Sequence, residues 1–177
     1  MIEIIPNWHP IFVHFTVALL SLATTLFVMG ALIPATAGWK AKCLTVARWN
    51  LWVGAIITVG TLLAGMHAYN TVMHDEAGHI AMTDHRNWAL ATAAVFMALA
   101  LWAFIVRKAK QASPLFVVVM VGATALLATT GYKGGELVFR HGLGVMALPQ
   151  AEGEEGHHHH KEAHEHHHEG EEHHHAD

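Results

Sequence analysis

From Ile11 to Ile33 the chain runs for about 23 residues with a single ionisable side chain, His14. As a helix rising about 1.5 Å per residue, that run crosses a hydrocarbon core of roughly 30 Å. His14 lies about one turn inside it. An ionisable group at such depth is costly unless it has a partner, so it points to a functional site. The rest of the chain is expected to supply the partner.

Three more apolar stretches follow, about Trp49 to Tyr69, Asn87 to Val106 and Leu115 to Tyr132. With 53% hydrophobic residues and a mean hydropathy of +0.33, the chain is too apolar for an ordinary soluble domain. Lys40, Lys42 and Arg48 lie between the first two stretches, and Arg107, Lys108 and Lys110 between the last two, with no acid in either loop. Arg86, Lys133 and Arg140, at the other ends, stand among acids. The positive-inside rule then places both basic loops in the cytoplasm and both termini outside. The expected fold is all-α. It is an integral membrane up-down four-helix bundle over residues 1–148, followed by a disordered His/Glu-rich tail over 149–177.

Several chemistries are excluded early. Cys43 is the only cysteine, so there is no intrachain disulfide and no cysteine metal cluster. A Cys-x-x-Cys-His motif for covalent haem attachment is absent. A cleavable leader is not expected either. Glu3 and no Lys or Arg precede the first run, which is also too long for a signal-peptide core. No nucleic-acid partner is expected.

The histidines give the best pointer to a site. Seven precede the tail: His9, His14, His67, His74, His79, His85 and His141. With four spans, His9 and His14 open span one, His67 closes span two, His85 opens span three and His141 follows span four. All fall at the outer ends, and the cytoplasmic half has none. Two imidazoles at one height on facing helices suit the two axial positions of a b-type haem. In an up-down bundle helices one and three are diagonal, as are two and four. The expected pairs are therefore His14 with His85 and His67 with His141. Trp8, Phe12, Phe15, Met66 and Trp88 suit the walls of such a site, although Trp also favours the membrane interface. Gly54, Gly60 and Gly65 thin one side of span two for a flat ligand or for a neighbouring helix. A single zinc or copper ion competes for the same imidazoles, and so does a purely structural role in which each ring bonds a carbonyl. His74 and His79 read as solvated loop residues.

The segment His9-Pro10-Ile11-Phe12-Val13-His14-Phe15 resembles the His-Pro-x-x-Val-His-Phe-Pro opening of the DUF2231 family, small bacterial four-span membrane proteins of unknown function. Thr16 stands where proline is common. Gly134 to Val145 is similar to the family's closing segment, with Phe139 where tyrosine is usual, and His85-x-Asn87 matches a third short motif. None of these motifs carries His67. The resemblance covers about residues 1–146. Related domains are fused to Rieske or cytochrome c modules, which implies a redox setting.

From Gln150 onward the chain is Glu, Gly and His with almost nothing apolar, so it cannot bury a core. Its histidines are His157, His158, His159, His160, His164, His166, His167, His168, His173, His174 and His175. Runs of up to four are broken by Glu and Lys, which reads as a native tail more than a purification tag. Flexible imidazoles beside carboxylates chelate Zn²⁺, Ni²⁺, Co²⁺ or Cu²⁺, less well in acid, where protons compete.

Three functions are compatible with these residues. One is an electron-transfer cytochrome at the outer face, working with quinone or a periplasmic redox protein. Another is a metal-handling membrane protein, though no ionisable residue in the cytoplasmic half of the spans relays an ion inward. The third is a structural subunit of an oligomer or a larger membrane complex. Nothing in the sequence specifies catalysis.

Overall fold

The computed structural model describes residues 7–34 and 36–145. It contains four helices and, among the described residues, no strand: α1 His9–Leu32, α2 Lys40–Thr71, α3 Glu76–Ile105 and α4 Pro114–Phe139. All four are long and apolar enough to cross a membrane. Local chemistry sets their starts. Pro10 and Pro114 occupy first-turn positions, where a missing N–H costs nothing. Asp75 caps α3 by accepting from Gly78 N–H at 2.7 Å, and Ser113 caps α4 by accepting from Phe116 N–H at 3.2 Å.

The helices overrun the apolar stretches that announce them. The basic segment around Lys40, Lys42 and Arg48 forms the opening turns of α2, so the connection shrinks to residues 33–39. α3 begins at Glu76, placing His85 inside the helix rather than at its start. α4 continues through Gly134 and Gly135 to Phe139 as unbroken helix. Hydropathy marks only the part of a helix inside the hydrocarbon, and polar turns extend beyond it.

Each helix packs on two neighbours. α1 touches α2 and α4, and α3 touches α2 and α4, so α1/α3 and α2/α4 are the diagonals. The α1–α2 seam is close because small residues line it. Gly30 lies under Leu44, Gly54 under Leu20 and Gly60 under Phe12. The dense core lies in the middle of the bundle, where Leu20, Leu51, Phe96 and Met120 are fully buried. Outward side chains such as Leu32, Ile56, Leu63 and Val118 are exposed and apolar, as a lipid-facing surface requires. Interhelical hydrogen bonds between threonine hydroxyls cross the seams. Thr24 bonds Thr124 at 2.8 Å, Thr16 bonds Thr61 at 2.7 Å and Thr92 bonds Thr130 at 2.7 Å.

Candidate functional site

Above the last two threonine pairs the core stops being solid. His9 opens α1, and its ring lies against Gly65 of α2. A Cβ on Gly65 would stand 2.9 Å from His9 Cε1. His85 of α3 lies against Gly134 of α4, where a Cβ would stand 3.1 Å from its Cε1. Each ring therefore occupies the room that a glycine leaves on the adjacent helix. The two rings approach across the diagonal with centroids 6.4 Å apart and planes at 76°.

Their nitrogens are unequally satisfied. His9 Nδ1 is 3.1 Å from the Thr61 carbonyl. A carbonyl only accepts, so Nδ1 carries the proton and Nε2 keeps its lone pair. His85 Nδ1 is buried and has no hydrogen-bond partner. A buried polar atom left unpaired costs about 1–3 kcal/mol, so this nitrogen calls for a partner such as a water or a bound group.

Both rings line a cavity of about 400 Å³. Its walls are mostly apolar, with Leu62, Met66, Ala89, Leu137 and Leu143 prominent. Polar exceptions besides the histidines include Asn7, Tyr69 and Arg86. The Arg86 guanidinium sits over the Tyr69 ring, 4.9 Å from its centroid. Near this wall Lys133 pairs with Asp84. After α4, Gly142 turns the chain at φ 62° and Leu143 N–H donates to Leu137 O at 3.0 Å. That turn brings Leu143 back to the wall of the cavity.

The diagonal geometry expected from an up-down bundle is present, with His9 rather than His14 beside His85. His14 is exposed on the outer face of α1, where its Nδ1 donates to the Pro10 carbonyl one turn back. His67 is exposed on α2 and His141 is exposed beyond α4, and neither lines the cavity. The tail histidines, His157 to His175, lie outside the described residues. Among the described residues no group of three or more His, Cys, Asp or Glu converges to hold a metal ion. Gly134, Thr61 and Tyr69 also belong to the site. Sequence marks Gly134 only as the start of the closing motif and does not mark Thr61 or Tyr69, because their roles depend on which residues face each other across the seams.

This arrangement lies within one matched segment. Residues 6–147 match the family model described as a predicted membrane protein, DUF2231. The chain belongs to the DUF2231 family. No curated protein and no solved structure matches it. The DUF2231 match encloses all four helices, both glycine-backed histidines and the whole cavity wall.

Proposed function

We propose that this DUF2231 protein is a membrane-embedded electron carrier of the b-type cytochrome kind, with one haem b held between His9 and His85. The observation that carries this reading is the pairing of the two imidazoles across the apolar cavity. The ring centroids stand 6.4 Å apart, so His9 and His85 would be the residues that hold the haem, and it would supply one-electron chemistry there. Among the described residues only two imidazoles line the cavity. That is too few for a structural zinc site, which usually takes four protein ligands, but it suits a macrocycle that brings four nitrogens of its own. The cavity volume falls within the roughly 300–1,000 Å³ of organic ligand sites.

In this reading the protein's residues bind and tune. Thr61 O fixes the His9 tautomer and ring plane, the outer hydrogen bond that orients a metal ligand. Arg86 offers a cation to carboxylates at the cavity wall. Leu62, Leu137 and Leu143 exclude water and so help set the potential. Bound haem supplies one-electron chemistry, with a quinone or a periplasmic redox protein as partner. A second copy or a larger membrane complex fits the same lipid-facing surface. The tail adds a chelating segment for Zn²⁺, Ni²⁺, Co²⁺ or Cu²⁺.

The test is a reduced-minus-oxidised spectrum of the full chain expressed with ample haem. A low-spin spectrum is expected, lost in His9→Ala and in His85→Ala and retained in His14→Ala. A wild-type protein with no Soret band refutes the cytochrome reading. A band that survives the loss of both His9 and His85 keeps the haem but refutes these ligands. Orientation in a bacterial inner membrane rests on the six Lys and Arg at the opposite end, and protease access at residue 150 reads it. Cleavage only from the cytoplasmic side reverses the topology and moves the site to the inner face.

A further inference from the structure

A second group of imidazoles lies on the hairpin that joins α2 to α3. His74 is in the connection and His79 in the first turn of α3. His74 Nε2 and His79 Nδ1 face one another at 3.0 Å. The ring centroids are 5.2 Å apart and the planes only 15° from parallel. That separation is close to the N···N distance plus two ring radii, the most that contact allows, so the rings meet end to end. The outward-turned nitrogens are also held. His74 Nδ1 is 2.7 Å from the Val72 carbonyl, and His79 Nε2 is 3.3 Å from the Tyr69 hydroxyl. Tyr69 in turn bonds Thr83 Oγ1 at 2.9 Å.

These contacts fix the protons. Val72 O accepts, so His74 carries its proton on Nδ1 and offers a lone pair from Nε2. His79 must then donate from Nδ1, and its Nε2 accepts from Tyr69 O–H. We infer that this pair is a binding site for a monovalent d¹⁰ cation of the copper(I) class. End-to-end imidazoles match the linear two-coordinate geometry such ions accept. The other ring nitrogen of each histidine already has the carbonyl or hydroxyl partner that metal-bound histidines need. Met73, next to His74 in the chain, is 93% exposed, and its thioether is a ligand type that favours Cu⁺.

No proton is lost when the ion enters. His74 keeps its Nδ1 proton. His79 shifts its proton from Nδ1 to Nε2, where the Tyr69 oxygen accepts it, and the Tyr69 O–H turns to Thr83. The nitrogens must part to roughly 4 Å, twice the usual bond of about 2.0 Å. Both histidines are exposed and His74 lies outside regular helix, so the side chains have room to separate. This site shares Tyr69 with the cavity wall but does not need a haem in the cavity.

The experiment uses Ag⁺ as a redox-inert stand-in and the full chain in nanodiscs. Carbethoxylation of each histidine is followed by peptide mass spectrometry, with Na⁺ as control. Ag⁺ is expected to slow modification of His74 and His79 together, at least tenfold. His79→Gln, which preserves side-chain bulk at an exposed position, is expected to release His74 from that protection. Tyr69→Phe removes the outer partner and is expected to raise the Ag⁺ concentration needed by about 10–100-fold. The inference is overturned if His74 and His79 react at the same rate with and without Ag⁺. It is equally overturned if His74 stays protected in His79→Gln, since the ion is then not shared.

Discussion

The middle of the bundle and its histidine end are built by opposite rules. In the middle, Leu20, Leu51, Phe96 and Met120 belong to one buried apolar cluster. At the histidine end none of the residues on the diagonal belongs to that cluster. Threonine pairs, glycine-backed imidazoles and a cavity of about 400 Å³ take its place. In lipid, helices are held together by close packing and interhelical hydrogen bonds more than by expulsion of water. The middle supplies close packing, whereas the histidine end is tied by its threonine pairs. The end can stay hollow because those hydrogen bonds and the packing below hold the helices in place.

Truncating one large side chain in each region gives the sharpest contrast. Phe96→Ala removes a ring with no exposure from a dense core and is expected to cost about 3–5 kcal/mol. Leu137→Ala enlarges a cavity that already exists and is expected to cost about 1 kcal/mol or less. Reversible unfolding in mixed micelles measures both. Equal losses would mean that the histidine end carries as much of the stability as the middle, and the division of labour would fail.

The sequence discloses the four spans, because each apolar run is long enough to be unambiguous. It also discloses that the histidines gather at one end. It shows less well which of them face inward, and the cause is angular. Depth in the span favours His14, but five residues turn a helix by about 140° from His9. A seven-residue step follows the inward face. Thr16, Ala23 and Gly30 are buried on α1, and His9 continues that series upward. On α3, Thr92 and Leu99 are buried, and His85 continues theirs. His67 is adjacent to buried Ala68 but points outward. The pairing of His74 with His79 needed the helix start at Asp75, which hydropathy does not report. The tail's chemistry is compositional and falls outside the described residues.

A gentler test compares two glycines one turn apart on α4. Gly131 faces open space, with nothing within 4 Å of an added Cβ, whereas a Cβ on Gly134 would stand 3.1 Å from His85 Cε1. Both are helical, so both exchanges gain up to about 1 kcal/mol from alanine's higher helix propensity. Gly131→Ala has nothing to offset that gain and is expected to be neutral or stabilising. Gly134→Ala must push the His85 ring, which His9 faces on the diagonal, and strain of this kind costs about 1–3 kcal/mol. A net loss of roughly 1 kcal/mol is therefore expected at Gly134, together with a disturbed imidazole pair. The same unfolding assay reads the first effect, and histidine nitrogen NMR reads the second. If both variants behave alike, the imidazole is not wedged against α4, and the hollow end owes its shape to something other than its glycines.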